Sequence, residues 1–461
     1  MNTLKKSVVN KYAFYGFGQA VGVMVPMTYI SVFMTENLLM SAALMGTVLL
    51  VSRIIDFIFG VTAGGIIEKT KMKWGKYRSW LIVLKWVILI GVFLMFFDSS
   101  ALHIAAKVTI SIVAYTMVNA SLNFTQTAQF GIMSLISGPS MDNRNNLSIR
   151  NAQYMAAAQI ATSAATIPLI NLLTPLVGQS MGYLIVGVAF ALVLVASCGV
   201  LTKLAEPYDI PQITNNPGAP VVSVGDIVKS VVTNGQLLIV LTANILFNTG
   251  MMVSMGIMAY YYIYVLGNFT LMAVGMTITT VFGLVASMFA PKIAVKLGKK
   301  NAMIVGLLIY ALSNVAIVLF GGVSLTVYIV FACLYTTGMY FFMGFGPNYF
   351  LDCAEYGLWK TGKDNRAVAM SLMNVPIKIG MALGGAIGGY GLAIIGYTAG
   401  MMPTPEFTSK FMILFGGAPA ALTFLAAMLM LLGYKLKDED CKKYAEENAA
   451  KMQSMTGISP E

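Results

Sequence analysis

Charged residues are scarce in this chain, and their scarcity excludes a soluble protein. Aspartate, glutamate, lysine and arginine make up 10% of the 461 residues, whereas hydrophobic residues make up 58%. Soluble globular proteins carry about 25% charged residues. The mean hydropathy is +0.78, and only short polar breaks interrupt the apolar stretches. The composition therefore predicts an integral membrane protein with no sizeable domain outside the bilayer.

Histidine and cysteine are also sparse, which argues against metal or redox chemistry. The one histidine is His103, and the four cysteines are too scattered for a disulfide framework or a paired-cysteine metal motif. An enzyme within the membrane needs clustered histidines, cysteines or acid pairs that are placed to act together on one substrate. We therefore predict no enzymatic activity, no cofactor and no metal beyond a possible transported sodium ion.

Twelve apolar runs reach the ~20 residues that cross a bilayer. Because twelve is even, both termini lie on one side. Of the 29 basic residues, only Lys107 and Lys410 fall near the opposite ends, so the positive-inside rule places the termini in the cytoplasm. The net charge of +11 thus indicates orientation in a bacterial inner membrane rather than a nucleic-acid partner. The runs start near Tyr12, Ala43, Ser79, His103, Arg150, Met181, Gly235, Leu271, Lys300, Val323, Ala367 and Lys410.

The longest polar break divides six runs from six. It covers Thr202–Ser230 and contains four prolines, which disfavour continuous helix and suit a linker. We predict an N-terminal half at 1–201, a central cytoplasmic loop at 202–230, a C-terminal half at 231–434 and a cytoplasmic tail at 435–461.

A faint internal repeat accompanies this division. A basic turn that contains glycine follows the second run of each half, at Gly65–Arg78 and at Pro291–Lys300. Short inner loops are commonly basic, so an accidental likeness stays open. Parallel repeats describe the major facilitator fold, in which the solute site lies near the membrane midplane between the halves. We predict that all-α fold, with twelve transmembrane helices in two six-helix halves.

Asp56 is an acidic side chain about halfway along the second run, with Arg53 three residues before it. Ionisable groups at bilayer depth normally face a cavity, a partner or an ion path. At this spacing the two residues share a helix face, so Asp56 either neutralises Arg53 or holds a proton or cation during transport. We predict Asp56 as the coupling residue and leave the structural alternative open.

Amide side chains follow one face of the fourth run. Asn119, Asn123 and Gln126 are spaced by four and three residues, and Gln129 lies one step further. Amides in a cavity bind hydroxyl groups, and they also join helices by hydrogen bonds. In the seventh run Asn248 is a further candidate. Nearby tyrosines lie close to the outer interface, where an aromatic belt is expected: Tyr260, Tyr261, Tyr262 and Tyr264.

Two basic side chains are candidates for contact with solute. Lys378 lies too deep in the eleventh run to reach the interface comfortably, and Arg150 opens the fifth run. Either can contact an anionic or hydroxylated solute or an acidic side chain, and Arg150 can also simply flank the interface. The predicted solute site comprises Asn119, Asn123, Gln126, Arg150, Asn248, Asn374 and Lys378.

Charges at the inner ends of the runs suggest a gate. Asp352 and Glu355 end the tenth run, and in a two-half topology they face basic residues of the first half. Such pairs can form in one conformation and separate in another. Solvated loop charges are the alternative, because exposed pairs contribute little. The predicted gating residues are Arg53, Lys73, Arg78, Arg144, Asp352 and Glu355.

Three segments resemble one family of transporters. They are Tyr15–Gly18, Gly46–Asp56 with Lys73–Leu81, and Asp352–Arg366 continuing through Lys378. Together they are similar to the glycoside-pentoside-hexuronide:cation symporters, of which the melibiose permease is the best-known member. The resemblance spans the whole chain. It implies import of a sugar or glycoside with sodium, lithium or protons by alternating access.

The chain departs from that family at its acidic positions. Asp56 and Lys378 match family residues, but Gly60 replaces the second acid of the second run and Val23 an acid of the first. The fourth run has no acid, and Arg150 misses the register of the family's arginine.

A dehydrated sodium ion needs several oxygen ligands and negative charge, so a proton held by Asp56 is the simpler coupling ion. We predict a cation site at Asp56, Asn123 and Gln126, with proton preferred over sodium. The solute is a sugar, glycoside or hexuronide. A non-sugar organic solute or anion, weakly coupled or carried by a uniporter, stays open. The expected partners are one small solute, one coupling cation and the lipid bilayer, with the protein a monomer.

Overall fold

The structure is a computed structural model that describes residues 4–138, 140–210, 233–344, 346–362, 369 and 372–456. Helices dominate it, as expected where backbone groups must find partners without water. The first six are α1 Lys6–Val32, α2 Ala42–Lys69, α3 Arg78–Met95, α4 Ile104–Ser137, α5 Met141–Val177 and α6 Gln179–Ala205. The others are α7 Gly235–Tyr260, α8 Leu271–Leu297, α9 Lys299–Phe320, α10 Leu325–Met343, α11 Gly346–Thr361, α12 Val375–Ile394, α13 Pro405–Met412, α14 Ala418–Gly433 and α15 Asp438–Thr456.

Within the described residues, twelve helical spans are long and apolar enough to cross a membrane. Ten correspond to single helices with their short extensions, while Leu325–Thr361 contains α10 and α11, and Pro405–Gly433 contains α13 and α14. The prediction of twelve spans is confirmed. The cytoplasmic position of the termini stays a prediction.

One predicted helix start is wrong by nine residues. The sequence placed the fifth span at Arg150, but α5 begins at Met141, where the Ser140 side chain accepts a hydrogen bond from the Asn143 amide at 3.3 Å. The first turns of α5 are polar, and a capped helix continues through them although they lie outside the apolar run. The predicted eleventh start, Ala367, lies outside the described residues.

The helices gather into two compact units. The first unit comprises Met1–Pro220, Gly256–Thr280 and Gly389–Thr404, and the second comprises Val221–Met255, Val281–Gly388 and Pro405–Glu461. In the first unit, α1 packs closely against α5 and α6, and α4 packs against α2 and α3. In the second unit, α9 packs against α10 and α14 around a large apolar core. The predicted boundaries at 201, 230 and 434 stay a prediction.

The two basic turns share a backbone geometry. Gly75 and Gly298 have φ of +107° and +77°, a region that disfavours side chains. Each turn is held by an aspartate that follows the last transmembrane helix of its half. Asp209 accepts hydrogen bonds from the amides of residues 76, 77 and 78 at 2.7 to 2.9 Å, and Asp438 accepts one from the Lys299 amide at 3.0 Å.

A second shared feature lies at the ends of α1 and α7. Both helices continue into a single π-helical turn, Phe33–Asn37 after α1 and Tyr261–Val265 after α7. The two turns belong to the same compact unit. Isolated π-helical turns widen a helix locally, and they are frequent at functional sites.

Candidate functional site

Asp56 and Arg53 lie on one face of α2 and are both buried. Their exposed fractions are 4% and 8%, and the Arg53 Nη1 and Asp56 Oδ2 atoms are 4.0 Å apart. A buried charge is costly unless it is paired and hydrogen-bonded. Three-residue spacing brings a cation to this carboxylate, and α4 supplies further polar contacts.

Helix α4 contributes three residues at four-residue intervals. The Asn123 side chain donates to Asp56 Oδ1 at 2.5 Å, and Arg53 donates to Asn119 Oδ1 at 3.1 Å. Arg53 also donates to the Tyr115 hydroxyl, and its guanidinium lies 4.9 Å from the centre of that ring. We call Arg53, Asp56, Tyr115, Asn119 and Asn123 the α2–α4 polar cluster. It surrounds the Asp56 carboxylate with polar side chains of α2 and α4.

Tyr115 was missed by the sequence analysis, although a signal for it exists. It precedes Asn119 by the same four residues that separate Asn119 from Asn123. Gln126, by contrast, has an exposed side chain, and no hydrogen bond to it is found among the described residues. The buried amide further along is Gln129, which donates to Asn151 Oδ1 at 3.2 Å.

The second unit brings Asn248 of α7 close to the helix that carries Lys378. Gly380 makes this possible, because a Cβ atom at that position would lie 2.6 Å from the Asn248 Cβ. Asn248 is 3% exposed, and its amide nitrogen donates to the Asn244 carbonyl at 2.8 Å. Its Oδ1 is buried without a hydrogen bond in the described structure, so it can accept one. Lys378 is half-buried and Asn374 is exposed.

Arg150 is exposed near the start of α5, where it contacts neighbouring polar side chains. Its Nε donates to Asn10 Oδ1 at 3.0 Å, and its Nη1 donates to Gln153 Oε1 at 3.0 Å. These contacts lie toward the end of the unit that holds the N-terminus. They fit the alternative in which Arg150 flanks the membrane interface, and its role in solute binding stays a prediction.

Three of the other predicted gating residues have partners within their own units. Arg78 pairs with Glu206 at 3.1 Å, and Lys73 is exposed. In the second unit Asp352 pairs with Lys299, and Glu355 accepts a hydrogen bond from Asn448 at 2.8 Å. Arg144 is half-buried near the start of α5. The assignment of Arg53, Lys73, Arg78, Arg144, Asp352 and Glu355 to a gate stays a prediction.

Polar contacts also join helix ends on the side of the first unit where α1 ends and α2 begins, which we call the distal face. The Thr35 and Tyr260 hydroxyls are 2.7 Å apart, and Tyr260 also donates to the Ser31 carbonyl at 2.9 Å. Glu36 accepts from the Tyr264 hydroxyl at 2.6 Å and from the Tyr397 hydroxyl. We call Thr35, Glu36, Tyr260, Tyr264 and Tyr397 the distal contact surface. All five belong to the first unit.

The aromatic-belt prediction is wrong for the tyrosines that follow α7. Tyr260, Tyr261, Tyr262 and Tyr264 are at most 5% exposed, whereas belt residues face the lipid headgroups. Burial also raises the pKa of Tyr397, with the nearby Tyr260 adding to the shift, so the phenol stays a hydrogen-bond donor. Sequence position did not reveal whether these residues face lipid or protein.

Further contacts along the distal face join α2 to α12, and α5 to the segment between α7 and α8. The backbones of α2 and α12 meet at Gly46 and Gly389, where a Cβ on Gly389 would lie 2.4 Å from the Gly46 Cα. Beside them the Thr47 and Tyr390 hydroxyls are 2.9 Å apart. Asn171 donates to the Thr270 hydroxyl at 3.0 Å. Within the described ranges, no group of three histidine, cysteine or acidic residues is placed to hold a metal ion.

Comparison with known proteins finds similarity over nearly the whole chain. The profile of the MFS/sugar transport protein family matches residues 11–438. The isoprimeverose transporter of Lactiplantibacillus pentosus is 25% identical over 443 residues, which cover 92% of this chain and 88% of that protein. The glucuronide carrier protein homolog of Escherichia coli is 24% identical over 443 residues, covering 95% and 93%.

Solved structures of other transporters share the fold at low sequence identity. The nucleoside transporter NupG gives a TM-score of 0.65 at 14% identity, with 93% of this chain and 100% of that chain covered. The xylose transporter XylE from E. coli, in an inward-open conformation, gives 0.64 at 11% identity, with 95% and 99% covered. These similarities establish the fold and leave the solute open.

Proposed function

The chain belongs to the MFS/sugar transport protein family, and from that premise we propose that it imports a sugar-derived solute together with a proton that Asp56 carries. It is a multi-pass transporter of the inner membrane and not an enzyme. Names of relatives support a solute of the glycoside, pentoside or hexuronide class, since they include an isoprimeverose transporter and a glucuronide carrier homolog.

The α2–α4 polar cluster is the observation that carries the choice of ion. The Asp56 carboxylate accepts an amide hydrogen bond at 2.5 Å and lies 4.0 Å from a guanidinium nitrogen. Sodium binding requires several oxygen ligands around the ion, and a positive guanidinium beside the site opposes it. A proton needs only the carboxylate and a route to water. Proton coupling therefore fits this donor set better than sodium coupling.

In this mechanism Arg53 and Asn123 contact the charged form of the Asp56 carboxylate. The proton leaves Asp56 when the site faces the solution with the lower proton concentration. When Asp56 is protonated, Arg53 keeps its bonds to Tyr115 and Asn119 and is not left without partners. The cluster can thus exist in both charge states. Alternating access would expose it first to one side and then to the other.

For the solute we favour a hexuronide-like anion. Lys378 is a half-buried cation in α12, and the buried Asn248 Oδ1 on the neighbouring α7 can accept a hydroxyl hydrogen bond. A cation and a hydroxyl acceptor on adjoining helices suit a sugar that bears a carboxylate. Replacing Lys378 with Gln should weaken binding of a glucuronide far more than binding of the matching neutral glucoside. The exposed Lys435→Gln serves as the control, and equal losses for both ligands would argue against this solute class.

The test of the coupling role uses proteoliposomes with an imposed pH gradient. We expect the wild-type protein to accumulate labelled solute above its outside concentration and to need no sodium. Asp56→Asn should still exchange solute across the membrane at equal concentrations but should not accumulate it. The exposed Asp142→Asn should behave like the wild type. Accumulation by Asp56→Asn would refute the coupling role, and exchange without accumulation by the wild type would favour a uniporter.

A further inference from the structure

A cavity of about 400 Å³ lies between α2, α3 and α4 of the first unit. Helix α4 packs against both neighbours and supplies most of the lining, which is mainly apolar. Phe59 of α2 and Val113 of α4 line the cavity and are 36% and 46% exposed, so it opens at the protein surface. All of the lining residues fall within spans that are long and apolar enough to cross a membrane. The cavity therefore opens toward lipid rather than water.

The length of the cavity suits one acyl chain. Its lining follows α4 from Ile112 to Phe124, which is about 18 Å at a rise of 1.5 Å per residue. One leaflet accounts for half of a hydrocarbon core of ~30 Å, or about 15 Å. At one end the Phe124 ring stacks on Trp80 with centroids 4.8 Å apart and lies 6.4 Å from the Phe59 ring. A chain from one leaflet can thus extend from these aromatic rings to Ile112.

The aromatic end of the cavity is the end nearest the first basic turn. Trp80 belongs to the first turn of α3, which follows the basic turn directly. Lys76 and Arg78 are paired with Glu68 and Glu206. Exposed cations beside a bilayer attract anionic headgroups. Three exposed lysines of this segment have no ion pair among the described residues: Lys69, Lys71 and Lys73.

We propose that the cavity and these three lysines form a binding site for an anionic phospholipid of the leaflet that adjoins the first basic turn. One acyl chain fills the cavity, and the headgroup phosphate lies at the lysines. Ile55 and Ala120 of the lining are the sequence neighbours of Asp56 and Asn119. A bound chain therefore packs against the two helices that hold the α2–α4 polar cluster. The site does not depend on which solute or ion the protein carries.

Quenching of tryptophan fluorescence by brominated phospholipids tests the site. Trp80 lines the cavity, whereas Trp86 of α3 is 51% exposed and lies outside the lining. The chain has four tryptophans, so Trp74→Phe, Trp86→Phe and Trp359→Phe together leave Trp80 alone. Trp80→Phe in place of Trp86→Phe leaves Trp86 alone as the matched control. Each variant is reconstituted in phosphatidylcholine bilayers that contain a small fraction of phosphatidylglycerol or phosphatidylcholine brominated on the acyl chains.

We expect a clear preference for the anionic lipid at Trp80. Brominated phosphatidylglycerol should quench Trp80 at about a tenfold lower mole fraction than brominated phosphatidylcholine, because three lysines attract its headgroup. High salt should reduce this preference, since ions screen exposed charges. Trp86 should respond equally to both lipids. Equal quenching of Trp80 by the two lipids would overturn the proposal, and so would a preference at Trp86 as large as that at Trp80.

A triple variant tests the contact with the headgroup. It removes the three exposed charges of the basic turn: Lys69→Gln, Lys71→Gln and Lys73→Gln. We expect the two lipids to quench Trp80 equally in this variant, and an unchanged preference would overturn the proposal. The control removes the same charge from exposed positions after α14 and should keep the preference: Lys435→Gln, Lys442→Gln and Lys443→Gln.

A change inside the cavity tests the position of the acyl chain and keeps the proposal falsifiable if the triple variant folds poorly. Ala120→Leu places a larger apolar side chain in the space between the three helices. It should weaken quenching of Trp80 by both brominated lipids and leave the quenching of Trp86 as it was. Quenching of Trp80 that does not change in Ala120→Leu would show that no chain occupies the cavity.

Discussion

Asp56 is held by neighbours that the sequence places at regular helical intervals. Arg53 is one turn away on α2, and Asn123 and Asn119 lie one turn apart on α4. These hydrogen bonds and the nearby guanidinium offset the cost of keeping a carboxylate in an apolar span. The arrangement predicts that charge and hydrogen bonding at this point are interdependent.

A double-mutant cycle measures that interdependence. Arg53→Met removes the cation beside the buried Asp56 carboxylate and should lower stability by about 3–5 kcal/mol. Asp56→Asn combined with Arg53→Met should recover part of the loss, because both charges of this pair are then removed. Thermal unfolding of the purified protein in detergent checks this. Lys410→Met, which breaks the exposed pair with Glu406, should leave the unfolding temperature close to that of the wild type.

A second substitution tests whether the lack of an acid in α4 determines which ion the site accepts. Asn123→Asp would place a carboxylate within 2.5 Å of Asp56 Oδ1, where two like charges favour either a shared proton or a bound cation. We expect uptake at alkaline pH to become stimulated by sodium, which the wild type should not show. Initial uptake rates with sodium or choline salts measure this. Uptake by Asn123→Asp that ignores sodium at every pH would contradict this view of the site.

At the scale of elements, pairs of matching features recur in the two halves of the sequence. Each basic turn contains a glycine with positive φ, and an aspartate that follows the last transmembrane helix of the half caps the helix after the turn. Helices α1 and α7 both end in a π-helical turn. These shared geometries support the faint repeat more strongly than the residue types do.

Gly75→Ala is the sharpest test of the first turn. A Cβ at this position would lie 2.4 Å from the Asp209 carbonyl oxygen, and the φ of +107° disfavours any side chain. We expect a loss of about 1–3 kcal/mol, seen as a lower unfolding temperature. Gly64→Ala in α2 is the matched control, because a Cβ there meets no atom within 4 Å. Equal unfolding temperatures for the two variants would refute the account of the turn.

The fold was predictable from the sequence, but part of the site was not. Apolar runs gave the twelve spans, and helical spacing predicted that Arg53 and Asp56 share a face. The contacts of Glu36 with Tyr264 and Tyr397 were missed, because they join residues that are 228 and 361 positions apart. Periodicity reports which residues share a helix face, but it does not report which helix covers that face.

At the scale of the whole molecule, the central claim is that solute and proton cross together. Family membership establishes the transporter, and the α2–α4 polar cluster provides one buried carboxylate for the proton. In each transport cycle Asp56 should bind one proton outside and release it inside, and transport should not require sodium.

The most direct measurement is proton uptake that follows addition of solute to wild-type proteoliposomes in a weakly buffered, sodium-free medium. We predict that the external medium becomes alkaline when a transported solute is added, and that Asp56→Asn gives no such change although it still binds and exchanges the solute. A wild-type protein that moves solute with no change in external pH, or an Asp56→Asn variant that takes up protons as the wild type does, would contradict the account.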